Sequence, residues 1–169
     1  DGTFLNYFPK SLIKFGVDPT THKFKKYYKK NTKVIPKIFK KNILKKSQKK
    51  FKFISAIAMF YDLSNPKLFI QTVKNYLHKD GIFHVEIAYL PDILKKNSFD
   101  TFCQEHLTYF SFTSFKYLID QTSFKIVDFN KNSINGGSIN FDLAFKTSKI
   151  KTKVLKIKKI LHLEKKLKL

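Results

Sequence analysis

The sequence predicts an α/β fold: a mostly parallel sheet with helices on both faces and an antiparallel last strand. Three observations predict it. Short apolar segments alternate with amphipathic helical segments from residue 11 to residue 129, a pattern joined most simply by parallel strands and crossover helices. "FKFISAIAMFYDL" (51–63) is almost continuously apolar, as a strand buried on both faces would be. "FKIVDF" (124–129) and "SINFDLAFKT" (138–147) both alternate, with only the turn-rich "NKNSINGG" between them, so the last strand joins antiparallel.

In chain order, "SLIKFGVDPT" (11–20) reads as a buried strand running into a turn, and "THKFKKYYKKN" as an exposed helix. "KVIPKIF" (33–39) is a strand that Pro36 confines to an edge. Lys40 to Lys50 is a basic helix or loop. In 65–81, Asn65 suits an N-cap, Pro66 the first helical position and Gly81 the stop, with Leu68, Phe69, Val73 and Leu77 near helical spacing. "GIFHVEIAYL" (81–90) is a strand, and 113–124 a helix with Phe115, Leu118 and Ile119 inward. Ile150, Val154, Ile157 and Leu161 form a stripe on a lysine-rich helix, which sets residues 149–169 apart from a main domain over 1–148. The chain opens at Asp1 without Met and closes in "KKLKL", so it is expected to be an N-terminally truncated fragment with a further domain beyond residue 169.

Composition bounds the function. With 169 residues, 43% hydrophobic and 16% aromatic, the chain is long and apolar enough for a real core. The net charge is +22, yet all 34 basic residues are lysine. Sequence-specific nucleic-acid readers favour arginine, whose planar fork grips guanine edges and phosphates. A solvated lysine coat is therefore the expectation, and its field still draws anionic ligands such as nucleotide phosphates. One cysteine excludes an intrachain disulfide and a multi-cysteine zinc site; no metal is expected, and the cytoplasm suits a single thiol. The longest apolar run, 53–61, is too short to span a bilayer.

In such a sheet, ligands sit beyond the carboxyl ends of the strands. Asp18 follows the first strand, where an acid holds ribose hydroxyls or starts a turn before proline. Gly2 opens a helix, where backbone N–H groups can face an anion. In "FCQEHLTYFSF" (102–112), Glu105 and His106 offer either proton chemistry or the polar edge of a core. His106 is the better base, and Glu105 can orient it. Cys103 reads as a small buried residue rather than a nucleophile. "INGGSIN" (134–140) is a ligand loop or an ordinary turn.

Taken together, "DGTFL", "FGVDP", "AIAMFYDLSNP", the stretch from Leu77 to Phe112 and "NGGSI" resemble the class I S-adenosylmethionine-dependent methyltransferases, over roughly residues 1–145. They are most similar to the branch of sugar C-methyltransferases acting on nucleotide-linked deoxysugars. The resemblance implies a Rossmann-like fold and S-adenosyl-L-methionine as cofactor. It implies cofactor contacts from Asp1, Gly2, Asp18, Ala58, Met59 and Phe60. It makes His106 the base and Glu105 its acidic companion in the sugar pocket. Tyr61, Tyr109, Asn135, Gly136, Gly137 and Ser138 stand on the substrate side. The implied reaction removes a proton beside a ketone, and the enolate takes the methyl group. Two positions depart from the family: Gln104 replaces a usual His and Asn140 a usual Arg. Competing expectations are a methyltransferase for another small molecule, or a basic module binding nucleic acid or a membrane surface.

Overall fold

Two sheets carry the chain in the computed structural model, which describes residues 2–44 and 50–168. They belong to two compact units, Asp1–Ser47 and Gln48–Leu169, each described by itself.

In the first unit, Gly2 caps the short helix α1 (Thr3–Asn6) with φ +81°. Strand β1 (Lys14–Val17) pairs in parallel with β2 (Thr32–Ile35), Lys14 opposite Thr32. The expected helix over 21–31 is only the one-turn α2 (Thr21–Phe24) and a 3-10 turn, because five lysines and three aromatics among those eleven residues give no continuous apolar stripe. The Tyr28 ring takes the space that a side chain would need at Gly2 or Gly16, where an added Cβ would lie 2.6 and 2.7 Å from it. Residues 41–44 form turns; the rest of the basic stretch, 45–49, lies outside the described residues.

The second unit holds a four-stranded sheet in the order β3 (Phe51–Ile57), β4 (Leu77–Ala88), β6 (Ser138–Phe145), β5 (Phe124–Asn132). β3 pairs in parallel with β4, whereas β6 runs antiparallel to both β4 and β5, as the short turn between β5 and β6 requires. β3 is shorter than its apolar run and is not buried on both faces: only Ala56 is buried along it. It ends the sheet order, so it lacks a central strand's two pairing neighbours among the described residues.

Helix α3 (Pro66–Tyr76) begins where the Asn65 side chain accepts the Leu68 amide at 2.9 Å. It ends before Gly81, which lies inside β4 rather than stopping the helix. Gly81 instead serves a close approach, since an added Cβ would stand 2.9 Å from the Phe51 carbonyl oxygen. The buried face of α3 is Ile70, Val73 and Tyr76, and Leu68 points outward. Helix α4 (Leu90–Lys96) follows β4 directly.

Helix α5 (Phe112–Asp120) starts at a reciprocal cap between Ser111 and Ser114. Phe115 stacks on Phe141 of β6 with ring centres 4.1 Å apart, and Phe112, Phe83 and Phe124 complete a fully buried aromatic layer. Helix α6 (Val154–Lys166) buries Ile157, Ile160 and Glu164. Val154 is exposed, so the buried stripe runs one turn later than the spacing suggests. Lys153 N–H bonds the Val127 carbonyl, which seats the start of α6 beside β5.

Candidate active site

β4 alternates strictly near its carboxyl end. Phe83, Val85, Ile87 and Tyr89 enter the core, while His84, Glu86 and Ala88 stand half-buried on the other face. A small cleft at that end is lined by Ala58, Tyr61, Glu86, Ile87, Ala88, Asn135 and Ser138. Four of these seven are expected site residues; Glu86, Ile87 and Ala88 are not.

Ala58 leaves β3 at φ +50°, with its N–H held by the Glu86 carbonyl at 3.1 Å. This left-handed step turns the chain sharply at the strand end, where Met59 is half-buried. Phe60 is 1% exposed, and its ring meets Phe69, Phe110 and Phe115 in the core. Its side chain is therefore structural, and only its backbone is left for ligand contact.

Tyr61 joins the cleft to the Glu105–His106 stretch. Its ring lies edge-on to the His106 ring, centres 4.4 Å apart, and its carbonyl accepts the Thr108 amide. Burial raises the Tyr61 phenol, with the nearby charges of Asp62, Cys103 and Glu86 adding to it. Tyr109 closes on the other side, 6.1 Å from the His106 ring, its hydroxyl donating to the Thr101 carbonyl at 3.3 Å.

His106 Nδ1 lies 2.7 Å from that same Thr101 oxygen. A carbonyl only accepts, so Nδ1 carries the proton and Nε2 of the neutral ring keeps a free lone pair. Thr101, not Glu105, thus orients the imidazole. Glu105 is exposed. Its own backbone N–H and the Cys103 thiol hold its carboxyl below the ordinary range. Cys103 is exposed rather than buried, because residues 103–106 form a tight turn closed by His106 N–H on the Cys103 carbonyl. Burial raises the Asp62 carboxyl; His106 opposes that shift and Glu105 reinforces it.

The glycine loop is specialised. Asn135, Gly136 and Gly137 have φ of +50°, +80° and +138°. Lys96 Nζ donates to the Gly136 carbonyl at 2.5 Å, and Tyr89 N–H to that of Gly137 at 3.0 Å. Ser138 hydroxyl donates to Ile134.

In the first unit, Gly2 sits at the start of α1. Asp18 does start the turn: its Oδ1 accepts the Thr20 amide at 2.6 Å and the Thr20 hydroxyl at 2.5 Å. Its Oδ2 accepts no hydrogen bond among the described residues. Asp1 lies outside the described residues.

Sequence reasoning placed Asp62 on the rim beyond the strand ends but missed Glu86 and Thr101. Alternation in "HVEIAYL" was the available signal for Glu86, placing an acid on the face opposite Val85 and Ile87. Nothing in the sequence marks a backbone carbonyl such as that of Thr101. No group of three or more potential metal ligands occurs among the described residues, and none of their helices is long and apolar enough to cross a membrane.

A methyltransferase-domain family model matches residues 1–128. The C-methyltransferase NovU of Streptomyces niveus is 42% identical over 67 residues, a match spanning 40% of this chain and 16% of NovU. Among solved structures, the plantazolicin methyltransferase BpumL, bound to a desmethyl-plantazolicin analogue and SAH, has a TM-score of 0.62 at 11% identity, covering 86% of this chain and 73% of that one. LepI in complex with SAM has a TM-score of 0.64 at 8% identity, covering 86% and 39%. At such identities the structural likeness is one of fold.

Proposed function

We propose that this chain, which belongs to the methyltransferase-domain family, serves an S-adenosylmethionine-dependent methyltransferase that methylates carbon on a nucleotide-linked keto-deoxysugar. The observation that carries the reading is His106. Its Nδ1–H is committed to the Thr101 carbonyl, so Nε2 is left as a base between two tyrosine rings. Removing a proton beside a ketone needs such a base near neutral pH. The partial identity with NovU supports the sugar acceptor.

The residues present fit the cofactor. Ala58 and Ala88 contribute only methyl groups to the cleft, the left-handed turn at Ala58 exposes backbone, and one carboxylate lines the cleft. The Ala58–Met59–Phe60 backbone would face the methionine part. Within the first unit, taken by itself, Asp18 Oδ2 would be the acceptor for ribose hydroxyls, and the Gly2 backbone would be the contact that the family resemblance implies. When bound, the cofactor supplies an electrophilic methyl group. His106 Nε2 takes the substrate proton while Thr101 holds the ring in place. Tyr61 and Tyr109, with Asn135 to Ser138, orient the sugar, and Glu105 stands at the solvent edge of that pocket.

The test is His106→Ala, assayed by methyl transfer to nucleotide sugars and by calorimetric titration with S-adenosylmethionine. Transfer should fall by a factor of about 100 or more with cofactor affinity unchanged. Loss of cofactor affinity alone would remove His106 as the base. Transfer to other keto acceptors but not to nucleotide sugars would change the acceptor class.

A further inference from the structure

Among the described residues, lysine pairs with three acids, and the buried Glu164 is satisfied by four other donors. Asp92 pairs with Lys131, Asp120 with Lys116, and Asp128 with both Lys153 and Lys156. Glu86 is different. It is half-buried in the cleft, and among the described residues its carboxylate receives one long hydrogen bond, from Asn132 Nδ2 at 3.3 Å, and no lysine. In a chain with 34 lysines and a net charge of +22, an unpaired carboxylate in a ligand cleft requires a reason.

The chemistry of the proposed cofactor provides one. S-adenosylmethionine carries a permanent sulfonium charge, and its product, S-adenosylhomocysteine, is an uncharged thioether at the same atom. A strongly cationic protein disfavours the charged form unless a local anion offsets that field. Glu86 is the one acid lining the cleft, beside the Ala58 turn, and its own carbonyl holds Ala58 N–H at 3.1 Å.

We infer that Glu86 is the counter-charge for the sulfonium, so that it favours the methyl donor over the spent product; this rests on the S-adenosylmethionine reading above. The ratio of the two affinities isolates the charge, since the ligands otherwise differ by one methyl group. Sinefungin, with an ammonium-bearing carbon in place of the sulfonium, is a second cationic probe.

The test is calorimetric titration of the full chain with all three ligands, with folding followed by thermal melting. Glu86→Gln keeps the shape and removes the charge. It should weaken S-adenosylmethionine and sinefungin roughly tenfold and leave S-adenosylhomocysteine within about twofold. Glu86→Lys should invert the preference, so that the uncharged product binds tighter than the donor. Equal weakening of all three ligands, or no change in any, in the folded variants would overturn the inference. If the unaltered chain binds none of them, the cofactor reading itself fails, a result distinct from the loss of selectivity.

Discussion

The Tyr89 hydroxyl donates to the Glu164 carboxylate at 2.7 Å, linking the end of β4 to the C-terminal helix α6. Glu164 is 1% exposed and every other donor it meets belongs to the start of α5: the Phe112 amide, the Thr113 amide and the Thr113 hydroxyl, at 2.6–2.8 Å. Four donors converge on two oxygens, so the charge is satisfied where a helix N-terminus favours it. Burial first, then the bond to Glu164, raises the Tyr89 phenol far above its usual range. Glu164→Ala strands these four donors and should cost about 3 kcal/mol or more. Glu164→Gln should be nearly as costly, because its amide N–H would face donors. Urea denaturation measures both; a loss below about 1 kcal/mol in either would contradict this account.

Gly137 is held by its neighbours as well as by its backbone. Its φ is +138°, and an added Cβ would stand 2.6 Å from the Asp92 Cβ, whose carboxylate is fixed by Lys131 at 2.8 Å. Lys131 in turn lies over the Tyr89 ring, 4.5 Å from its centre. Gly137→Ala should cost about 2 kcal/mol and move the loop from Ile134 to Ser138. A thermal melt gives the first quantity, and amide shifts of Tyr89 and Ser138 in NMR the second. Unchanged shifts with unchanged stability would show that the loop has slack.

Much of this architecture is legible in the sequence because it rests on local chemistry. Asn65 and Pro66 announce α3, the spacing of Phe115 and Ile119 announces α5, and a short turn-rich link makes β6 antiparallel. What is not legible depends on distant partners. Gly81 looks like a helix stop but is needed where Phe51 passes close to β4. Leu68 fits a helical stripe but faces solvent, because the sheet selects Ile70 and Val73 instead. At the candidate site, residue type pointed to His106 and the family resemblance to Tyr61; strand alternation alone marked Glu86, and the Thr101 carbonyl became visible only when folding brought it close.

The His106 hydrogen bond predicts a tautomer. Neutral imidazole in water favours the proton on Nε2, and the Thr101 carbonyl reverses that at 2.7 Å. Nitrogen–proton correlation spectra of the neutral ring should show the proton on Nδ1. Tyr61→Phe keeps the ring contact and should preserve this tautomer. Finding the proton on Nε2 would mean that the bond to Thr101 is absent in solution and that the proposed base points elsewhere.

Acid should loosen the seat of α6 in a defined pH window. Burial alone would raise the Asp128 carboxyl, but hydrogen bonds from Lys153, Lys156 and the Phe129 amide outweigh it and hold the group at about 2. Lys156 also reaches the Phe129 carbonyl and the Asn130 side chain, and its charge lies over the Phe129 ring, while Lys153 N–H holds the Val127 carbonyl. Because the folded value lies below the unfolded one of about 3.9, the contribution is fully present above about pH 4 and is lost as pH falls towards 2. Both lysines are partly exposed, so it amounts to about 1 kcal/mol after screening. Asp128→Asn should be less stable than the unaltered chain by this amount at pH 6, with the gap closing below pH 4. Paired urea titrations across pH 2 to 7 measure that gap, and subtraction removes the other carboxylates. A gap that persists at pH 2 would assign the loss to packing rather than to the charge of Asp128.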